Sequence, residues 1–385
     1  MKKQKICIIG GSLTGLVTAI SLSKLNCEID LITGKISKNL NSNRTIAVSE
    51  SNLDFLKKLN IFKSEKKEIW PCSIMKLYTG NENAKFTKIF ELKNKKKNII
   101  YMIKNSILTN LMFRRVKRIK SITIKSSKNI SEIYNSGFLK SININNKNYK
   151  YNLIIICTGS SSNLVKNLFK DKSIENSYKE ISITTILSHS NLNNNTARQI
   201  FLDNEILALL PIANNKTSIV WSIKKDMAKK NNLNIKNKIK FYAGKHLKKI
   251  NFLSKIEYKD LNFLIRDKYF KNRILLFGDS LHTIHPFVGQ GFNMTLRDLL
   301  CLEKILLNKI NLGLDVGSLD ILSEFSNESK PRNFIQSIGI DLMKNSFSFK
   351  KKSIVKARNE ILTTLNKSNL VKDIFYNIAD KGIKF

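Results

Sequence analysis

Apolar residues along this chain follow two periodicities that take turns. Short unbroken apolar runs at 5–9, 29–32, 153–157 and 274–277 read as strands buried on both faces, as in a parallel sheet. Helical spacing appears at 16–25, 52–59, 105–112 and 294–307. Between these lie stretches of alternating apolar and polar residues: 74–78 and 85–90, then 181–187, 197–202, 206–211 and 217–223. They fit an antiparallel sheet with one covered face. Residues 121–151 are polar, weakly alternating and hairpin-like. Residues 227–248 are polar and helix-prone, and Pro331-Arg332 opens a helical region that reaches Phe385.

This order predicts an α/β protein in which a Rossmann-like nucleotide domain is interleaved with an antiparallel β-sheet domain and followed by C-terminal helices. The nucleotide domain takes residues 1–72, 105–175 and 271–330, the sheet domain 73–104 and 176–270, and the helical region 331–385. There is no internal repeat.

Composition changes this picture only in its charge. Of 385 residues, 42% are hydrophobic and 25% charged, ordinary for a folded globular chain, but the formal net charge is +38. The lysines are dispersed rather than gathered on one stretch, which argues against a specific nucleic-acid site and for general attraction to anionic surfaces at low salt. The five cysteines lack paired spacing, and Cys7, Cys157 and Cys301 sit in apolar runs, so buried free thiols are expected. His282 and His285 lack the further ligands a metal would need, so no metal is expected. The apolar run after Met1-Lys2-Lys3 is too short for a signal peptide, and no run approaches the ~20 residues of a membrane span. The expected location is cytoplasmic, with peripheral contact at the inner face of the membrane.

Candidate chemistry gathers in the loops that follow the unbroken apolar runs. In the stretch 278–293, Gly278-Asp279 ends a strand, and Pro286, Gly289, Gln290, Gly291, Phe292 and Asn293 precede a helix. The carboxylate of Asp279 can accept hydrogen bonds from hydroxyls. The glycines admit close backbone approach to a flat ligand, and the free N–H groups of a helix start attract negative charge. At the other end of the chain, Gly10-Gly11-Ser12-Leu13-Thr14-Gly15 matches the dinucleotide fingerprint G-x-G-x-x-G with Ser12 at its second glycine. Gly10 permits the tight turn and Gly15 close helix packing; the Ser12 hydroxyl can bond a phosphate oxygen. Thr33 stands where an acid would hold a ribose. A third loop, Thr158-Gly159-Ser160-Ser161-Ser162, converges on the same sheet edge as 10–15.

In this combination the chain resembles the flavin-dependent aromatic hydroxylases of the para-hydroxybenzoate hydroxylase fold, and among them the ubiquinone-biosynthesis hydroxylases. The resemblance is carried by 278–293 with Leu296-Arg297-Asp298, and by Arg44-Thr45-Ile46-Ala47-Val48-Ser49. Residues 208–212 with 218–222 add a third match. It implies FAD, NADH or NADPH as electron donor, O2 as co-substrate, and ring hydroxylation of a polyprenylated phenol through a flavin hydroperoxide. Gly10, Ser12, Leu13 and Gly15 would face the FAD pyrophosphate, Thr33 the adenosine ribose, and Arg44 and Asn105 the length of the cofactor. Asp279 would bond the ribityl or pyrophosphate region, and Pro286 with Gly289, Gln290, Gly291, Phe292 and Asn293 would line the isoalloxazine ring. No catalytic side chain is implied, and His285 reads as a structural loop histidine. Thr158 replaces the acid that the family associates with FAD and nicotinamide use. Two other readings stay open: an FAD-dependent oxidoreductase on another aromatic or polyprenyl substrate, and a non-catalytic scaffold in a biosynthetic complex.

Overall fold

The architecture comes from a computed structural model that describes residues 3–34, 42–62, 68–94, 97–127, 130, 132–170, 173–203, 205–230, 234–286, 289–349 and 351–383. The first sheet runs in the order Phe270–Lys271, Ile274–Leu276, Leu153–Ile156, Gln4–Ile9, Cys27–Thr33, Ile122–Ser126. All neighbours in it are parallel except the short Phe270–Lys271 edge. Its central strands are mostly apolar because helices such as Leu13–Leu22 pack on one face and the strands Leu139–Ile144 and Lys147–Tyr151 on the other, and Ile6, Ile8, Ile29 and Leu153 to Ile156 are almost wholly buried.

A second, larger sheet is antiparallel for most of its width. Glu257–Arg266 pairs with Ser173–Ser188, and Lys216–Lys224, Glu205–Ala213 and Thr196–Leu202 follow. Beyond them Ile74–Gly80 joins in parallel and Phe86–Lys93 closes the edge. A small sheet of Thr45–Ser49, Ile100–Lys104 and Ile69–Cys72 lies between the two.

Three elements differ from the sequence expectation. Ile122–Ser126, expected in a hairpin-like region, is a parallel strand of the first sheet, paired with Cys27–Thr33. It is an edge strand with one strand neighbour, so its sequence, Ile-Thr-Ile-Lys-Ser, alternates instead of running apolar. Glu257–Arg266, which the periodicities do not mark, is a ten-residue strand whose first half is charged and exposed. Pro331 does not open a helix. It lies inside Leu319–Ser346, where buried Ile321, Leu322 and Phe325 before it and Asn333 and Ser337 after it hold the helix together across the missing N–H.

The outer face of the large sheet is covered by Ile235–Ala243 and the segment after it, which places His246 against Tyr78 and Phe86. Its Nε2 is buried with no hydrogen-bond partner among the described residues. Burial, with Arg198 and Lys76 nearby, holds this imidazole down to about 4 from its usual 6.5. The folded pKa lies below the unfolded one, so the unfolded chain binds the proton first. Stability from this group is present above about pH 6.5 and is lost as pH falls towards about 4. We expect His246→Phe to flatten that acid limb when urea midpoints are compared between about pH 7 and about pH 4.5.

Candidate functional site

Where the three sheets meet, a cavity of about 430 Å³ opens between the layers. One end is formed by Ser12, Leu13 and Thr14 at the start of the Leu13–Leu22 helix, and by Arg44, Asn105 and Asp279. The other end is a largely apolar wall from the large and small sheets, including Met75, Met102, Ala197, Leu210 and Val220. The stretch 278–292 runs along it with Asp279, His282, Pro286, Gly289, Gly291 and Phe292.

That stretch belongs to both layers. It leaves the parallel sheet after Ile274–Leu276 and makes a 3-10 turn at Gly278–Ser280. It then adds the short strand His282–Thr283 to the large sheet and enters the Gln290–Asn311 helix. Phe287 and Val288, inside the stretch, lie outside the described residues. Two glycines in it are fixed by their neighbours. Gly278 has φ +62 and a Cβ there would lie 2.6 Å from Thr14 Cγ2; Gly289 has φ +66 and a Cβ would lie 2.8 Å from Ala47 Cβ. The helix begins at Gln290 with Gly289 as left-handed N-cap, four residues earlier than apolar periodicity places it. Residues read as loop are therefore its first turn, and the N–H groups of Gly291 and Phe292 have no carbonyl in the helix to bond. A Cβ on Gly291 would meet only Ile284 Cγ1, at 3.9 Å, so this turn is open on the cavity side.

Asn293 points away from the cavity. Its Nδ2 donates to Ala47 O (2.9 Å) and Gly289 O (3.1 Å), and its Oδ1 accepts from Ser49 N and Asn52 Nδ2 (3.0 Å each). Gln290 is likewise buried, donating to Ala379 O and accepting from Arg297 and Gln336. Burial lowers the Arg297 guanidinium to about 10, with Asp298 and Asp380 pulling back.

Next to the stretch lies a buried charged group that sequence reasoning did not find. Glu180 Oε2 accepts from His285 Nε2 at 3.3 Å and Oε1 from Lys344 Nζ at 2.7 Å. A bulge between Ser177 and Glu180, with Lys179 at φ +52, turns Glu180 into this position. Burial alone would raise the Glu180 carboxyl, but the bonds from His285 and Lys344 outweigh it and the net shift is down. Burial keeps His285 below its usual value, hence neutral near pH 7, and Nε2 is its donor atom. His282, in turn, bonds Asp298 Oδ2 at 2.9 Å, and Asp298 also accepts from Asn333.

Of the residues singled out in the sequence, Ser12, Leu13, Arg44, Asn105, Asp279, Pro286, Gly289, Gly291 and Phe292 come together on this cavity. Gly10 and Gly15 lie behind it as packing glycines. A Cβ on Gly15 would fall 1.8 Å from Gly10 O, and one on Gly10 2.6 Å from Cys157 O. The Ser12 hydroxyl donates to Cys157 O at 3.4 Å, and Thr33 Oγ1 donates to Gly34 O at 3.1 Å, so both are used within the chain. Asp30, the acid within the second strand, is likewise engaged, with Tyr151, Lys5 and Lys125. Lys259, on the cavity wall, was missed because its strand reads as a charged surface.

A parallel nucleotide sheet with a glycine-turned helix start, opposed by an antiparallel sheet across an apolar cavity, defines a dinucleotide-cofactor protein built of two facing layers. The chain belongs to the FAD binding domain family, whose model matches residues 3–332. It is 24% identical to the mitochondrial ubiquinone biosynthesis monooxygenase COQ6 of Dictyostelium discoideum, over 97% of this chain and 90% of that protein. It is 21% identical to ubiquinone hydroxylase UbiM of Neisseria meningitidis serogroup C, over 84% and 73% respectively. Its fold superposes on p-nitrophenol 4-monooxygenase PnpA from Pseudomonas putida with a TM-score of 0.82 at 13% identity, covering 100% of this chain and 99% of that one.

Gly289 and Asn293 separate two demands on the helix start. We expect Asn293→Ala to destabilise the fold by about 2–4 kcal/mol in denaturant titrations, since it strands the buried Ser49 N–H and Ala47 carbonyl. Gly289→Ala, forced against Ala47, should instead lower the flavin content of purified protein at a smaller cost in stability.

Proposed function

We propose that this chain is an FAD-dependent monooxygenase that hydroxylates the aromatic ring of a polyprenylated phenol on the route to ubiquinone. The observation that carries the proposal is the stretch 278–293. It leaves the end of the parallel sheet, joins the large sheet at His282–Thr283, and sets an open helix start across from an apolar wall. When bound, FAD supplies the redox chemistry, taking electrons from NADH or NADPH and activating O2 for transfer to an electron-rich ring.

The chain's own part is binding, orientation and exclusion of water. The N–H groups at the start of Gln290–Asn311, with the positive end of that helix, stabilise negative charge at the pyrimidine edge of the ring system. Gly291 leaves room for a flat ring, and Pro286 and Phe292 border it. Asp279 accepts hydroxyl hydrogen bonds from the ribityl region. Ser12, Leu13 and the start of the Leu13–Leu22 helix would hold the phosphates, with Arg44 and Asn105 along the chain of the cofactor. Met75, Met102, Ala197, Leu210 and Val220 offer the aromatic ring and its apolar tail a dry wall. His285 and Glu180 fix the backbone before Pro286 and hand no proton to substrate. The interleaved residues 1–72, 105–175 and 271–330 act as the cofactor-binding part, and 73–104 with 176–270 as the substrate part. No helix among the described residues is long and apolar enough to cross a membrane. With a charge of +38, the chain meets its lipid-borne substrate at an anionic membrane surface, alongside other proteins of the pathway.

We expect Asp279→Ala to abolish retention of FAD, read from the visible spectrum of the purified protein; unchanged flavin content would refute the role. A wild-type chain that stays colourless after reconstitution would sink the hydroxylase itself. In a deletion strain, the quinone precursor that accumulates should lack one ring hydroxyl and so name the position. A separate expectation concerns Thr158. Restoring the acid with Thr158→Asp should raise the rate of NAD(P)H oxidation, followed as loss of nicotinamide absorbance, and an unchanged rate would mean that the threonine does not limit flavin reduction.

A further inference from the structure

We propose that Lys259 and Arg44, held on adjoining segments of the cavity wall, form a two-cation clamp for the diphosphate of FAD. The inference rests on the flavin reading and adds to it a residue from the opposite layer. Both side chains line the cavity, and among the described residues neither makes a hydrogen bond or an ion pair. Their placement is built rather than incidental. Glu257 Oε1 accepts from Asn43 N at 2.7 Å and Oε2 from Ser42 Oγ at 3.4 Å, while Asn43 Nδ2 donates to Lys255 O at 3.1 Å. The segment before Arg44 is thereby strapped onto the strand that carries Lys259. Glu257 and Lys259 are two apart on it and share a face. Glu257 spends its carboxylate on this strap and not on Lys259, which has Asp279 across the same cavity but no ion pair among the described residues.

The result is two like charges close enough to be felt. Partial desolvation of the ammonium against the cavity wall and the Arg44 charge both push Lys259 down, and Asp279 pulls it back, although the residue as a whole stays exposed. A group carrying two negative charges relieves that repulsion; a neutral ligand does not. The same clamp answers the softness of the nucleotide side. The hydroxyls of Ser12 and Thr33 are turned to Cys157 O and Gly34 O, and fixed cations replace them in holding the phosphates. Because Lys259 belongs to the large sheet, binding of the diphosphate also ties the two layers together.

The test uses apo-protein and three flavins, with affinity read from fluorescence quenching. Lys259→Gln should weaken FAD by about ten- to a hundredfold while riboflavin, which has no phosphate, changes by less than about twofold. FMN should fall in between, Lys259→Arg should restore FAD binding, and ADP should compete with FAD less well in Lys259→Gln than in wild type. Equal losses for FAD and riboflavin would assign Lys259 a purely structural role and overturn the clamp. So would unchanged FAD affinity, or a loss confined to NADPH over NADH, which would give the cation to the nicotinamide nucleotide. If the wild-type chain took up no flavin at all, the flavin reading would fail and the clamp with it.

Discussion

The site depends on how one buried amide, that of Asn293, joins the Gln290–Asn311 helix to the Thr45–Ser49 strand. It makes four hydrogen bonds with the strand, with Asn52 and with its own N-cap, and its side chain is closed to solvent. Breaking such an arrangement costs the desolvation of every partner left behind, about 1–3 kcal/mol each, so the helix start cannot slide. Ala47 adds a steric limit from the same strand, since only glycine fits opposite it at position 289. The open N–H groups of the first turn therefore face the cavity by construction.

The C-terminal helices hold the same joint from behind. Asp380 accepts from Ser51 N and Oγ, its carbonyl from Ser49 Oγ, and Ala379 O from Gln290. Further up, Lys344 of the Leu319–Ser346 helix reaches Glu180, which holds His285 beside Pro286. The buried Glu180 carboxylate sits between Lys344 and His285, and removing either partner would leave charge stranded in low dielectric. The bulge at Lys179 is the local distortion that brings the carboxylate into reach. The helical region thus acts on the cofactor site through the helix start and through the loop before it.

What could be read from sequence divides along physical lines. Strands covered on both faces announce themselves as apolar runs, so Gln4–Ile9, Leu153–Ile156 and Ile274–Leu276 were legible. So were the glycine-bearing loops after them, because turn chemistry is local. Two strands were not: Ile122–Ser126, at an edge, and Glu257–Arg266, with a charged first half, owe their existence to a neighbour far away in the chain. Lys259 was lost with its strand, since a lysine in a charged run looks solvated until the fold sets it beside Arg44. The helix start was placed late because Gly289 and Gly291 look like loop, although the left-handed N-cap needs the first of them. Asn293 and Gln290 were picked out as cofactor residues, and their side chains prove to be fasteners. That distinction is tertiary and leaves no trace in spacing.

The two ends of the cavity are held by different kinds of force, and this accounts for their unequal sequence signatures. At the end proposed for the flavin ring, recognition would depend on backbone groups set by buried hydrogen bonds and by glycines without room for a Cβ. Such a site has few alternative solutions, and its sequence keeps the full pattern from Gly278 to Asn293. At the end proposed for the nucleotide, the ligand would carry charge, and charge acts over several ångströms. A cation supplied from any nearby strand serves, whether or not the fingerprint loop keeps its second glycine or the ribose keeps its acid. In a chain with +38 net charge, such cations are abundant, and the background potential already favours an anionic ligand. Softening of Ser12 and Thr33 is therefore compatible with a bound cofactor, whereas a comparable change at Gly289 is not. The nucleotide end should accordingly be the salt-sensitive one, because the interactions that hold it are those that mobile ions screen.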